Sequence, residues 1–260
     1  MKDNNKMYTS KYFKEGMPEW KRIKDPITTR IFYRPISFFI ASCAAKMGIT
    51  ANMVSYFSII VAILSCVCIA WPNNIVNIVG AILVNVWLIL DCTDGNLARS
   101  VKKQAFGDFA DSISSYVLVA LLGFSLGLSA FYNGGVFFEK NSILIIILGF
   151  IASISDTLMR LIYQKFKSAE RNLADKGLIE IENDKRIDNT QTNSLLVRIE
   201  SDFGVGGFLP IMILIGILLK LNDLLVIYCF VYYFSSCVVM SAKYILKAIK
   251  KAKIIERIEE

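Results

Sequence analysis

Apolar and polar residues occupy long alternating blocks of the chain, with apolar runs of helix length separated by shorter polar segments. A membrane-spanning helix needs about 20 largely apolar residues, and several runs approach this length. The six predicted spans cover residues 52–71, 75–90, 109–131, 143–166, 208–221 and 224–246. The turn Pro72-Asn73-Asn74 is too short for anything except an antiparallel hairpin of the first two spans. The pattern therefore predicts an all-α integral membrane protein.

Lysine and arginine residues are distributed unevenly among the polar segments. They concentrate in the N-terminal arm, after the second span, in the segment after the fourth span and at the C-terminus, whereas the other loops contain Lys140 and Lys220. Because basic segments resist translocation, both termini and the loop after the second span are predicted to be cytoplasmic. Residues 30–46 are apolar but short, and they include Arg34 and Pro35. We expect them to form an amphipathic juxtamembrane helix on the cytoplasmic surface.

The predicted organisation has three parts. Residues 1–48 form a cytoplasmic arm and interfacial helix, and residues 49–247 form a six-helix membrane domain with a cytoplasmic loop at 167–202. Residues 248–260 form a charged C-terminal tail.

The composition agrees with a membrane protein and limits the kinds of metal site and proton-transfer group that the chain can form. Hydrophobic residues make up 55% of the chain, and the mean hydropathy is +0.50. A net charge of +7 located beside apolar spans indicates anionic lipid headgroups rather than nucleic acid. The chain has no histidine and no CxxC pair, which argues against a zinc site. Any proton transfer near neutral pH is therefore assigned to carboxylates, lysine or tyrosine.

A dense group of acidic residues follows the second span, where charge is costly unless it is paired or hydrated. Residues 91–111 read DCTDGNLARSVKKQAFGDFAD. If the second span continues as a helix, Asp91 and Asp94 share one face, and Asp111 lies one turn inside the next helix. Oxygen ligands of this kind suit Mg²⁺, Mn²⁺ or Ca²⁺. A set of interfacial capping acids is the alternative, but the length of the motif argues against it.

Small residues and an arginine follow the first two acids. Gly95 and Ala98 leave room for a ligand beside the backbone, and Arg99 offers a planar donor fork suited to phosphate. Gly107 begins the next helix. The end of the second span and the start of the third are therefore predicted to face one another across a carboxylate-lined, water-accessible cleft.

These residues resemble the signature of the CDP-alcohol phosphotransferase (CDP-alcohol phosphatidyltransferase) family, which is DxxDGxxAR followed by GxxxDxxxD. The matching positions are Asp91, Asp94, Gly95, Ala98, Arg99, Gly107 and Asp111. The segment Ile49-Thr50-Ala51-Asn52 is also similar to the TPN element of the family, with Ala51 in place of proline. The resemblance implies transfer of a phosphoalcohol or phosphatidyl group from a CDP-alcohol to an acceptor, with release of CMP, in lipid or glycan-precursor synthesis.

The same resemblance implies a role for each matched residue and a homodimer in the membrane. Asp91, Asp94 and Asp111 would hold Mg²⁺ or Mn²⁺ on the donor pyrophosphate and carry the catalysis. The residues implied to border the nucleotide are Thr50, Asn52, Gly95, Ala98, Arg99 and Gly107. The signature does not specify the alcohol or the acceptor.

Two further features depart from the family signature. The spacer between Arg99 and Gly107 holds seven residues, one fewer than the usual pattern, and the fourth aspartate, the proposed base, falls on Ser115. Three interpretations remain open: Asp108 shares a helical face with Asp111 and acts as the base, the acceptor is already ionised, or the chain is a weakened homologue that binds a CDP-alcohol or serves as a partner subunit. A transporter that uses the same acids is a further alternative. Asp156 and Arg160 form either an intrahelical pair or part of an acceptor pocket.

Overall fold

The computed structural model describes residues 7–179 and 202–259, with side chains described through residue 255, and this part of the chain is helical without strands. In chain order the helices are α1 (Ser10–Glu15), α2 (Glu19–Lys24), α3 (Arg34–Lys46), α4 (Ala51–Ile69), α5 (Asn74–Ser100), α6 (Gly107–Asn133), α7 (Ile143–Asp175), α8 (Leu209–Leu218) and α9 (Asn222–Glu259). A π-helical turn, Thr29–Tyr33, leads directly into α3. The predicted all-α class is therefore confirmed.

Five helices in the described part of the chain are long and apolar enough to cross a membrane, namely α4, α5, α6, α7 and α9. The chain is accordingly a multi-pass membrane protein. The span predicted at 208–221 is represented by α8, which has 10 residues. At 1.5 Å per residue it extends about 15 Å, roughly half the thickness of the hydrocarbon layer. The count of six spans and the cytoplasmic placement of both termini remain predictions.

The first two spanning helices form the predicted hairpin. Thr50 caps the start of α4, and Asn73 caps α5 by accepting hydrogen bonds from the backbone N–H groups of Ile75 and Val76. Near the turn, a Cβ on Gly80 would lie 2.7 Å from the carbonyl oxygen of Ser65. Only glycine permits this approach of the two helices, so the tight turn and the close packing act together.

The remaining helices complete one bundle around a shared apolar core. Helix α4 packs against α5 and α6, α7 packs against α6 and α9, and α8 packs against α5. Trp87, Leu118 and Leu126 are fully buried in this core. A Cβ on Gly123 would lie 2.7 Å from the carbonyl oxygen of Gly149, so α6 and α7 meet nearly backbone to backbone. The bundle thus fixes the relative positions of α5, α6 and α7.

Three helices continue past the predicted ends of their apolar runs. Helix α5 extends through the entire acidic motif to Ser100, α7 extends to Asp175, and α9 extends to Glu259 through the predicted tail. The loop predicted at 167–202 therefore begins as helix, and its residues 180–201 lie outside the described residues. Charged residues end a membrane span without ending a helix, because Glu, Lys and Arg are good helix formers.

The helix predicted at 30–46 is present as the π-helical turn and α3. Helix α3 lies against α5, buries Phe38 and Ala41, and exposes Ile36 and Phe39. It ends before Gly48, whose φ of +73° is strained for residues other than glycine. Its location at the membrane surface remains a prediction.

Candidate functional site

Acidic side chains from α5 and α6 come together at one end of the bundle. The carboxyl groups of Asp91 and Asp111 lie within hydrogen-bonding reach of one another, and Asp94 is close enough to interact electrostatically with both. Asp94 is 4% exposed, Asp91 is half-buried and Asp111 is exposed. The structure therefore brings together the three acids predicted to act jointly.

Hydroxyl groups from α4 and α6 support this acidic cluster. The Ser55 hydroxyl donates a hydrogen bond of 2.5 Å to Oδ2 of Asp94. One turn farther along α4, the Ser58 hydroxyl lies 2.5 Å from the Ser114 hydroxyl, which also accepts a hydrogen bond from the Trp87 indole N–H. These buried contacts connect α4, α5 and α6, so they fix the carboxylate of Asp94 relative to the helix that carries Asp111.

Arg99 folds back along its own helix. Its guanidinium donates to the side-chain oxygen of Asn96 at 3.2 Å and lies over Gly95, where a Cβ would be 3.0 Å from two guanidinium nitrogens. Gly95 therefore provides the close approach that its position predicts, although the group that approaches is Arg99. Ala98 packs at the edge of a second apolar cluster, beside α1. Arg99 remains exposed and keeps donors directed to solvent.

The start of α4 is tied to the loop between α5 and α6. Thr50 accepts a hydrogen bond from the backbone N–H of Met53, as a helix cap does. Asn52 donates from its side chain to the carbonyl of Ala105 at 2.9 Å, and its side-chain oxygen is buried without a hydrogen-bond partner. A Cβ on Gly107 would lie 3.5 Å from that oxygen. One buried acceptor atom beside the start of α6 is thus left without a hydrogen-bond partner.

The two residues considered for the role of the base, Asp108 and Ser115, lie on α6 on either side of Asp111. Asp108 is highly exposed and lies 3.7 Å from the ammonium of Lys103. Ser115 donates its hydroxyl proton to the carbonyl oxygen of Ser112 at 3.0 Å, within its own helix. Neither position offers a buried carboxylate oxygen, and the assignment of Asp108 as the base stays a prediction.

An ion pair that the sequence pattern does not reveal attaches the N-terminal arm to α5. Arg34 donates from Nε and Nη2 to the two carboxylate oxygens of Asp25 at 2.6 and 3.1 Å, and Lys21 lies 3.1 Å from the same carboxylate. Burial alone would raise the pKa of Asp25, but the hydrogen bonds and charge of Arg34, together with the charge of Lys21, outweigh it. The pKa of Asp25 therefore lies below its ordinary value of 3.8.

The third nitrogen of the same guanidinium binds α5. Nη1 of Arg34 donates to the carbonyl oxygen of Cys92 and to the side-chain oxygen of Asn96, each at 3.1 Å. Asn96 also donates to the hydroxyl of Ser37 at 3.0 Å. An arginine within an apolar run needs a partner, which is the sequence signal for this contact. The partners come from Asp25 and from the interior of the motif, and their sequence positions do not reveal the pairing.

A cavity of about 310 Å³ opens beside Asp91. Its walls come from the N-terminal arm, from α5 and α7, from the turn before α8 and from α9. Residues that line it include Lys21, Asp25, Arg34, Leu88, Asp91, Asp156, Arg160, Gly206, Tyr233 and Ser236. The sequence leaves an acceptor pocket at Asp156 and Arg160 as one alternative, and the structure places both residues in the same cavity as Asp91.

Asp156 and Arg160 form the intrahelical pair that their spacing predicts, with Nε donating to Oδ1 at 3.0 Å. Asp156 is 1% exposed, and its Oδ2 has no hydrogen-bond partner. The hydroxyl of Tyr233 on α9 is also buried without a partner. The guanidinium of Arg160 lies 5.5 Å from the centre of the Tyr116 ring, on α6. The pair and the pocket are therefore compatible, since one carboxylate oxygen remains unused.

The donor set suits a hard cation. Two carboxyl groups in contact repel one another unless a proton or a cation lies between them, which is the situation of Asp91 and Asp111. Among the described residues, no group of three or more acidic or cysteine side chains is arranged tightly enough to hold a metal by itself. Magnesium commonly uses one or two carboxylates and takes further ligands from substrate phosphate and water. Two carboxylates in contact, with a third nearby, fit that pattern.

Residues 48–176 match the family model described as CDP-alcohol phosphatidyltransferase. This segment of the chain belongs to that family. The matched segment covers α4, α5, α6 and α7, which include the acidic cluster and Asp156. The N-terminal arm, the turn before α8 and α9 lie outside it, although they supply much of the cavity wall. Among curated proteins, none matches the chain.

Proposed function

We propose that the protein transfers a phosphoalcohol or phosphatidyl group from a CDP-alcohol to an acceptor hydroxyl, with release of CMP. The observation that carries the proposal is the approach of Asp91 on α5 to Asp111 on α6, two acids of the family segment, with Asp91 lining a cavity large enough for a small acceptor. Site residues near the cytoplasmic end of the spans and a homodimeric assembly belong to the same proposal.

Each candidate residue has a role consistent with its position. Asp91, Asp94 and Asp111 would hold Mg²⁺ or Mn²⁺, which when bound would neutralise charge on the diphosphate and favour departure of CMP. Arg99 is exposed beside Gly95 and can contact a phosphate. Thr50, Ala98 and Gly107 would border the nucleotide. The unpartnered oxygen of Asn52 can accept a hydrogen bond from it.

Release of CMP by purified protein in vesicles tests this function. The wild type is given CDP-diacylglycerol or a CDP-polyol, Mg²⁺, and a panel of polyol, sugar-phosphate and amino-alcohol acceptors. We expect CMP formation that requires both the metal and an acceptor and that Asp94→Ala reduces at least a thousandfold. Asp175→Asn, an exposed position on α7, is the matched control and should leave the rate unchanged. A wild type that forms no CMP across the panel contradicts the proposed activity.

The position of Ser115 favours a second candidate, a weakened homologue that binds a CDP-alcohol without efficient turnover. The Ser115 hydroxyl is occupied within α6 and cannot replace a carboxylate as a proton acceptor. Binding of CDP in the presence of Mg²⁺, without CMP formation from any donor and acceptor pair, would support this candidate instead.

A further inference from the structure

The proposed transfer requires a group that accepts the proton of the acceptor hydroxyl. The family position for this group is Ser115 here, and its hydroxyl donates to the backbone of its own helix. Asp108 is exposed next to Lys103 and does not line the cavity beside Asp91. A carboxylate that serves as a base must lie where the acceptor binds and must have an oxygen that no other group occupies.

Asp156 meets both requirements. It lines the same cavity as Asp91, and it is nine-tenths or more buried. Its Oδ1 is held by Arg160 at 3.0 Å, which fixes the orientation of the carboxylate, while Oδ2 has no partner. Leaving a buried carboxylate oxygen unbonded is costly, and such a cost is common where a ligand later supplies the missing hydrogen bond.

The surroundings of Asp156 suit a hydroxyl-bearing acceptor. Tyr233 lines the same cavity, and its hydroxyl, which is buried without a partner, has the capacity to donate to or accept from an acceptor hydroxyl. Arg34 also borders the cavity, but its three nitrogens are already bonded to Asp25 and α5. Oδ2 of Asp156 and the Tyr233 hydroxyl therefore give the α7 and α9 side of the cavity unused hydrogen-bonding capacity.

We propose that Asp156 is the general base of this protein, replacing the fourth aspartate of the family motif from a different helix. The proposal rests on the proposed transferase function. In the step, the acceptor O–H bond breaks and its proton passes to Oδ2 of Asp156. The acceptor oxygen forms a bond to the phosphorus that carries the alcohol. The bond from that phosphorus to the oxygen of CMP breaks, and CMP leaves with the electron pair.

Amide substitutions at the two rival carboxylates test the assignment. CMP release is measured in vesicles with a donor and acceptor pair that the wild type uses, and CDP binding is measured separately for each variant. Asp156→Asn should lower kcat at least 100-fold with CDP binding unchanged, because a general base contributes roughly 10²–10⁴-fold. Asp175→Asn on the same helix is the matched control.

A rescue experiment separates a base from a structural residue. Ser115→Asp restores a carboxylate at the family position, so adding it to Asp156→Asn should recover at least tenfold of the lost kcat. A merely structural role for Asp156 predicts no such recovery, and that result overturns the proposal. Near-normal kcat for Asp156→Asn also overturns it, as does loss of activity in Asp108→Asn with Asp156→Asn active.

Two further results are informative. If Asp156→Asn does not fold, Asp156→Glu keeps the charge beside Arg160 but moves the oxygens by one methylene. We then expect a loss of kcat of at least tenfold with CDP binding unchanged, and an unchanged kcat overturns the proposal. A wild type that forms no CMP with any pair overturns the transferase function itself, and the base assignment with it, before any variant is compared.

Discussion

Two aspartate–arginine pairs border the same cavity, and they differ in how much of their bonding capacity is used. In the first pair, Asp25 and Arg34 have side chains 2% and 6% exposed, and both carboxylate oxygens are bonded. In the second, Asp156 is buried but Arg160 is 30% exposed, and a single hydrogen bond joins them. The first pair is saturated, whereas the second keeps one carboxylate oxygen for another partner.

The difference follows from where the partners lie in the chain. Asp25 and Arg34 belong to different elements, and Arg34 also bonds α5, so their contacts hold the N-terminal arm against the acidic motif. Asp156 and Arg160 are four residues apart on one helix, so their contact adds little to tertiary structure. An ion pair of the same chemistry can therefore fix a fold in one place and orient a reactive group in another.

The same substitution in both pairs should give the largest contrast in stability. Asp25→Asn leaves Arg34 buried without its counter-charge, which costs about 3 kcal/mol. Asp156→Asn leaves Arg160 partly solvated and in contact with Tyr116, so its cost should be about 1 kcal/mol or less. Thermal unfolding of the two variants in the same detergent or nanodisc measures the difference.

The expected difference in stability between Asp25→Asn and Asp156→Asn can be contradicted by experiment. Equal losses of stability in the two variants would show that Asp156 also supports the fold, and the division between the pairs would not hold. Activity is an independent measurement, because Asp156→Asn should lower kcat strongly while it lowers the thermal stability only slightly. Asp25→Asn should have the larger effect on thermal stability and the smaller effect on kcat.

Acid should weaken the first pair specifically. The pKa of Asp25 lies below 3.8 in the folded protein, so its contribution to stability is complete above the pKa of the unfolded chain and is lost as pH falls through the lowered folded value. The stability gap between the wild type and Asp25→Asn should therefore be constant from pH 7 to about pH 5 and shrink below pH 3.8. Melting temperatures across this range test it, and a gap that does not shrink would contradict the lowered pKa.

The arrangement of the acidic motif along α5 can be predicted from the sequence, because it depends only on residues that are close together in the chain. An apolar run followed by Asp91 and Asp94 on one helical face needs only the continuation of α5, and that continuation is confirmed to Ser100. The hairpin at Asn73 and the break at Gly48 are likewise read from turn chemistry within a few residues. Helix ends are harder to predict, since charge stops a membrane span while the helix continues.

The cavity could not be predicted, because its walls come from distant parts of the chain. Arg34 within an apolar run indicates that a partner exists, but it does not indicate Asp25 or the carbonyl of Cys92. Similarly, the spacing of Asp156 and Arg160 predicts their pair and not the unused oxygen, which depends on how α9 packs against α7. Contacts between residues close in sequence can be predicted from the sequence. Whether every hydrogen-bonding atom of a buried group finds a partner depends on the tertiary structure.

The smallest predicted effect concerns the hydrogen bond that holds the carboxylate of Asp94. Its Oδ2 accepts a hydrogen bond of 2.5 Å from Ser55, so it resembles Asp25 in being held by a neighbouring element. Ser55→Ala removes this donor but leaves the carboxylate free to bind a cation, and loss of such a supporting contact typically costs 10-fold to 100-fold. We expect about a tenfold fall in kcat/KM and a higher Mg²⁺ concentration for half-maximal CMP release.

Ser65→Ala is the control and should change neither value, because the Ser65 hydroxyl donates within α4 to the carbonyl oxygen of Ala62. A fall in rate without any change in the Mg²⁺ requirement would show that Ser55 supports the helix packing and not the carboxylate.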